Sequence, residues 1–271
     1  MNMFLKFISL AVVFGLSSAA HAATTITFDS LEDVNAAFPA GIVQGGSSFR
    51  GYDSVSGRLQ LHAEGNAGSH AAINANAYSD ASFSSSLDFI TAGKTITFND
   101  VTMGIASSGT SYTFALGIGN AVQGNFSASS GPSQRIYFFI NRADGTLSVK
   151  KGGVVLQSWS GAGYSFDSLS LSLTATGWSA SVVKASGAGT LNASGTFATA
   201  LDAATWGDSY YLGLHASQTI VSDANYAGRY TNGFVGSIDI TPIPEPASVA
   251  VLAGAGALLV CGFRRSRSRR R

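Results

Sequence analysis

From Thr24 to Thr241 the apolar residues fall at every second position in short runs, and Gly, Ser, Asn or Asp break each run. A period of two puts alternate side chains on opposite faces of an extended chain, so each run reads as a strand with one buried face. "TITF" aligns Ile26 with Phe28, "GRLQLHA" aligns Leu59 with Leu61, and "SYTFALGIGN" aligns Tyr112, Phe114, Leu116 and Ile118. In "KTITFNDVTMGI" the alternation at Ile96 and Phe98 shifts by one to Val101, Met103 and Ile105, which predicts a bulge or turn at Asn99-Asp100. "RIYFFI" is apolar on both faces, as in a central strand. Asp144-Gly145 and Gly152-Gly153 then make hairpin turns into "TLSVK" and "VVLQSW". "SLSLSLTATGWSASVV" is a further hairpin, with Leu169, Leu171 and Leu173 on one arm and Trp178, Ala180 and Val182 on the other. "YYLGLHA" and "GFVGSIDIT" supply the last two strands.

One short helix fits the pattern. "SLEDVNAAF" offers Ser30 as N-cap with Asp33 three residues on, and it sets Leu31, Val34 and Phe38 on one face before Pro39 ends it. About a dozen short strands without crossover helices predict antiparallel sheets packed face to face. The expected fold is all-β: an antiparallel β-sandwich of the jelly-roll kind, one short N-terminal helix, and a C-terminal transmembrane helix. An immunoglobulin-like sandwich is the other arrangement compatible with these runs.

The ends carry different signals. In "MNMFLKFISLAVVFGLSSAAHAA" a lysine precedes an apolar run, and Ala20-His21-Ala22 follows as a small-x-small cleavage pattern. Residues 1–23 therefore read as a secretory signal peptide, with a mature start at Ala23 or Thr24. At the other end, the uncharged stretch Ala247 to Phe263 rises about 25 Å as a helix, close to the ~30 Å thickness of a hydrocarbon core. Arg264, Arg265, Arg267, Arg269, Arg270 and Arg271 follow it and are expected to stay cytoplasmic, leaving the body on the far side. Residues 24–241 form the sandwich domain and 242–271 the tail.

The tail resembles a known family of sorting signals. Pro244-Glu245-Pro246, a short apolar span and an arginine cluster at the C-terminus are similar to the PEP-CTERM signal of exopolysaccharide-producing Gram-negative bacteria. The resemblance implies an exosortase-type membrane protease as partner, transient anchoring in the inner membrane, and release to the cell surface or medium. In the body, "RIYFFINRADGTLSVKKGGVVLQSW" resembles the central meander of concanavalin-A-like and laminin-G-like domains.

Chemistry is sparse. Between Thr24 and Pro246, nine basic residues face 15 acidic ones, a net charge near −6 that disfavours nucleic acid as a partner. Laminarinase-like glycosidases, which share the sandwich, need paired carboxylates at alternating positions of one strand. Before the sorting motif the body has only Glu32 and Glu64 as glutamates, and neither has a second acid at strand spacing. Glu32-Asp33 sits at a helix start, where acids favour the dipole. His62, His70 and His215 are far apart in sequence, and "SDANYAG" reads as an Asx-rich turn, so no metal or cofactor is expected. The only cysteine, Cys261, lies in the tail.

Aromatic residues remain. Trp159 and Trp178 alternate with apolar neighbours and are assigned to the core. Trp206 in "DAATWGDS" and Tyr226 and Tyr230 in "ANYAGRYTNG" fall in polar stretches and are the candidate ligand-binding residues. The resulting expectation is a non-enzymatic, exported protein that is structural or carbohydrate-binding, with extracellular polysaccharide as partner. A secreted polysaccharide hydrolase whose acids meet only in the fold, and a self-assembling adhesin driven by exposed edge strands, are the two other readings.

Overall fold

The computed structural model describes residues 23–40, 43–44, 48–64, 73–79, 88–105, 111–207, 210–219 and 230–243. The expected leader, sorting motif, C-terminal span and arginine cluster lie outside them. Among the described residues no helix is long and apolar enough to cross a membrane.

The chain begins with β1 (Thr24–Thr27), α1 (Leu31–Ala37), β2 (Val43–Gln44), β3 (Phe49–Asp53), β4 (Arg58–Glu64) and β5 (Ile73–Tyr78). It continues through β6 (Lys94–Ile105), β7 (Ser111–Gly119), β8 (Arg135–Asn141), β9 (Thr146–Lys151), β10 (Val154–Ser160), β11 (Ser165–Leu173) and β12 (Gly177–Lys184). The last elements are β13 (Thr190–Thr196), α2 (Ala203–Trp206), β14 (Tyr211–Thr219), β15 (Tyr230–Val235) and β16 (Ser237–Pro242).

Among the described residues the strands form two sheets, both antiparallel throughout. The nine-stranded sheet runs β13-β12-β11-β6-β15-β4-β3, with β16 beside β6 and β1 beyond β16. The seven-stranded sheet runs β10-β9-β8-β7-β14-β5-β2. Leu59, Leu61, Ile96, Phe98, Leu169, Leu171 and Leu173 from the first sheet and Phe114, Leu116, Ile118, Phe138 and Leu214 from the second share one core cluster. The expected hairpins at Asp144-Gly145 and Gly152-Gly153 join β8 to β9 and β9 to β10, with Gly145 at φ 64° and Gly152 at φ 57°.

Ser30 caps α1 as its sequence suggests: its hydroxyl accepts from the Asp33 backbone N–H and donates to the Asp33 carboxylate at 2.8 Å. Val34 and Phe38 are buried, but Leu31 is half exposed, so the helix buries a narrower stripe than expected. Four strands were not apparent as alternating runs: β2 (VQ), β3 (FRGYD), β5 (INANAY) and β13 (TLNASGT). Three of them, β2, β3 and β13, are sheet edges, where a strand needs less apolar surface because it has one neighbour.

The step at Asn99-Asp100 is a shared feature of neighbouring strands. Asp100 has φ 49°, and burial shifts there from Phe98 to Val101. On one side of β6, burial shifts from Phe166 to Leu169 across Asp167, where the β11–β12 register also slips. On the other side Gly236 separates β15 from β16, and burial shifts from Val235 to Ile238. The Gly236 N–H donates to the Asn99 carbonyl, and a Cβ on Gly236 would lie 2.9 Å from the Asp100 Cβ. β6, β11 and the β15–β16 segment thus shift together, which keeps the main apolar face of each turned inward on both sides of the crease.

Candidate functional site

Beyond the crease, β4 buries Leu59, Leu61 and Ala63 and turns Arg58, Gln60, His62 and Glu64 away from the core. Its neighbours complete a patch on that outer face. β3 sets Phe49 opposite His62, and β15 sets Asn232 opposite His62, Tyr230 opposite Glu64 and Phe234 opposite Gln60. Gly104 of β6 faces Asn232 on the far side and adds no bulk.

His62 organises the patch. Phe49 stacks on its ring with centroids 4.8 Å apart and planes 19° apart. Tyr230 packs against it at 5.1 Å and 36°. Its Nδ1 lies 2.5 Å from Asn232 Oδ1 and its Nε2 3.0 Å from Glu64 Oε2. Both ring nitrogens are thereby engaged, which fixes the ring plane and the two aromatics beside it. Phe49 is 42 % exposed, with more of its surface in solvent than any other aromatic ring among the described residues. At the patch margin the Arg58 guanidinium lies 4.7 Å over the Phe234 ring and pairs with Asp100 at 3.3 Å. The arrangement is an aromatic cluster with Phe49 exposed, Tyr230 half-buried and His62 buried between them, bordered by a carboxylate, two amides and a guanidinium. It offers ring faces for stacking and donors and acceptors for hydroxyl groups.

No protein-family model matches the sequence, and no curated protein matches it. Solved structures match its fold. The lectin UEA-II complexed with galactose superposes with a TM-score of 0.52 at 12 % identity, over 83 % of this chain and all of that one. Lectin II from Ulex europaeus gives 0.51 at 12 % identity, again over 83 % of this chain and all of its own. Arcelin-5, a lectin-like defense protein from Phaseolus vulgaris, gives 0.50 at 12 % identity, over 83 % and 99 %. The fold is lectin-like.

Within this lectin-like sandwich the three aromatic candidates have separate fates. Tyr230 lies in the patch, against His62. Tyr226 falls outside the described residues, as do Pro244, Glu245, Pro246 and the six terminal arginines. Trp206 is a correction: it is 1 % exposed and belongs to the core. "DAATW" is not an open loop but a one-turn helix, capped by Asp202, whose carboxylate accepts from the Thr205 N–H at 2.8 Å. That turn drives the indole inward against Phe89 at 5.2 Å and Tyr210 at 6.0 Å. Trp178 is buried, and Trp159 is partly buried against the same core.

Phe49 and His62 were missed. The signal available for His62 was its place in "GRLQLHAE", where Leu59 and Leu61 define the inner face and send His62 outward with Glu64. Phe49 sits on an edge strand without alternation and carried no such signal. Glu32 and Asp33 stay at the start of α1, where Asp33 is engaged by Ser30.

His215 is the opposite of His62. It lies on the outer face of the seven-stranded sheet but is buried beneath the β7–β8 connection, residues 120–134. Its Nδ1 accepts from the Ser127 hydroxyl at 2.6 Å, and the Ser127 N–H points to the same atom at 3.3 Å. Burial and the nearby Arg135 push its pKa down to about 3. The connection is held further by Tyr78, whose hydroxyl donates to the Gln123 carbonyl at 2.7 Å. Phe126 rests on Gly213, where a Cβ would come within 2.2 Å of the ring. This histidine fastens a loop and has no access to a ligand. Among the described residues no group of three or more His, Cys, Asp or Glu stands together as a metal site.

Proposed function

We propose that this chain is an exported, non-enzymatic carbohydrate-binding protein whose binding platform is the Phe49–His62–Tyr230 patch. One observation carries the reading: a large exposed ring, Phe49, is held by stacking on a histidine that is itself fixed by Asn232 and Glu64. A sugar ring has an apolar C–H face and an equator of hydroxyls. The platform matches the first with Phe49 and Tyr230 and the second with Glu64, Asn232 and Gln60. The lectin-like fold supports the same reading, since UEA-II was crystallised with galactose. The sorting tail supports the setting: a PEP-CTERM signal delivers the body to a polysaccharide-rich exterior, with an exosortase-type protease as processing partner. The net negative charge of the body fits a glycan better than a nucleic acid.

The test is retention on immobilised host exopolysaccharide and on galactose-bearing matrices. Replacing Phe49 and Tyr230 together by Ala should weaken retention about tenfold or more, equivalent to about 1.4 kcal/mol. Replacing Val55, which is 95 % exposed and remote from the patch in the β3–β4 turn, should change nothing. Full retention by the double variant, with an unchanged β circular-dichroism spectrum, would overturn the assignment.

A further inference from the structure

On the near side of the crease, the outer face of the nine-stranded sheet is built almost entirely of hydroxyl and amide side chains. The pairing registers align them in rows across the strands. Thr25 faces Asp239, Asp239 faces Thr97, Thr97 faces Ser170, Ser170 faces Ser181, and Ser181 faces Asn192. This single row crosses six strands. Two residues along, Thr95, Ser172, Ser179 and Ser194 make a second row. The residues between them in each strand, such as Ile96, Leu171 and Ala180, are buried in the core, so the strands cannot rotate these hydroxyls away.

The two halves of the array differ. On β1, β16, β6 and β11 the side chains are tied to one another: Thr25 donates to Asp239 at 2.6 Å, Thr97 meets Ser170 at 2.9 Å, and Thr95 meets Ser172 at 2.7 Å. On β12 and β13 the hydroxyls of Ser179, Ser181 and Ser194 and the amide of Asn192 have no side-chain partner among the described residues. These four, with Ser170 and Ser172, line a shallow open depression of about 410 Å³. The two rows hold one carboxylate, Asp239, which already accepts from Thr25 and Asn99, and no Lys or Arg.

We infer that this hydroxyl face is a second subsite, separate from the aromatic platform, that takes a neutral linear glycan lying across the strands with one sugar per strand. The inference rests on the carbohydrate reading above. Neighbouring strands lie about 4.8 Å apart, close to the advance of one pyranose ring along an extended chain, and six strands span about 24 Å. A chain in that orientation meets a fresh hydroxyl or amide at each ring. The donors stand on rigid strands, so little is lost in ordering them. With no cation in the rows, nothing compensates a uronate or sulfate group, which selects a neutral chain over an anionic one.

The experiment measures binding of cello-oligosaccharides, from the disaccharide to the hexasaccharide, to the body with both ends intact or naturally processed. In the unaltered chain affinity should rise about tenfold between the trisaccharide and the hexasaccharide. The double variant Ser170→Ala and Ser181→Ala, which removes the two hydroxyls and adds no bulk, should flatten that rise while leaving disaccharide binding unchanged. Ser194→Arg, on the exposed edge strand and carrying no folding burden, should do the same by filling the depression. Tyr230→Ala should weaken the disaccharide and preserve the dependence on length. Oligogalacturonides of equal length should bind more weakly. A flat dependence on length in the unaltered chain, or a rise left intact in both hydroxyl-face variants, overturns this subsite and spares the aromatic one. Tighter binding of the galacturonides overturns the neutral-glycan assignment. No binding of any sugar by the unaltered chain overturns both readings.

Discussion

Trp206 shows how one residue's role turns on a local cap. Because Asp202 nucleates a single helical turn, the indole leaves the surface and joins Phe89 and Tyr210 in the core. Trp206→Ala should therefore cost about 3–5 kcal/mol of stability, the range for emptying a large buried ring, and a urea titration would register it as a lowered midpoint. A variant that unfolds at the same urea concentration would return Trp206 to the surface. His215 makes a second prediction. Its folded pKa of about 3 lies below the ordinary 6.5, so the neutral ring's contribution is complete above about pH 6.5 and is lost as pH falls toward about 3. Stability measured by denaturant across that window should decline, and His215→Gln should remove that component of the decline. The Ser127 hydrogen bond breaks with protonation, so the β7–β8 connection should gain hydrogen exchange first as pH drops.

At the scale of elements, the crease through Asp100, Asp167 and Gly236 divides the outer face of the large sheet into an aromatic half and a hydroxyl half. Neither half could point outward if only one of the three strands shifted, because the others would then turn their apolar faces to water. Close approach between the sheets is equally specific. Gly233 of β15 lies under Phe114 of β7, where a Cβ would come within 2.2 Å of the ring. Phe114 is fully buried, so the ring has little room to withdraw. Gly233→Ala should cost about 1–3 kcal/mol through overpacking. Gly153→Ala, in the β9–β10 turn with open space around it and no left-handed backbone angle, should be neutral or gain about 0.4–1 kcal/mol. Chemical denaturation of the pair checks both; equal midpoints would refute the inter-sheet contact.

For the molecule as a whole, the proposal is of a self-sufficient sandwich carried by two disposable ends. The core draws on both sheets and on α1 and α2, and every named strand lies between Thr24 and Pro242. Protein recovered from the native host should have an intact mass lacking the leader up to Ala22 or Ala23 and the tail from near Pro244-Glu245-Pro246. A mature species that keeps Arg264 to Arg271 would remove the sorting proposal. On the sorting proposal, replacing the six arginines with neutral residues should alter membrane retention or processing and leave the thermal midpoint of the body unchanged, because the action proposed for them is electrostatic, at the membrane.

The alternation in the sequence determined the strands with well-buried faces, the two Asp-Gly and Gly-Gly hairpins, the cap of α1 and the step at Asn99-Asp100, because each depends on neighbours a few residues apart. It left β2, β3, β5 and β13 unmarked, since three of these are edges and none shows a clear apolar alternation. The site was only partly legible for a related reason. Tyr230 could be suspected from its polar surroundings, but its contact with His62 spans 168 positions of chain and exists only through the β4–β15 pairing. Phe49 becomes a platform only because β3 pairs with β4 in one register. Serines in "SLSLSL" and threonines in "KTITF" each read as ordinary outward positions. Only the tertiary pairing of β1, β16, β6, β11, β12 and β13 sets them in rows, because cross-strand register is decided by burying the far face of every strand at once.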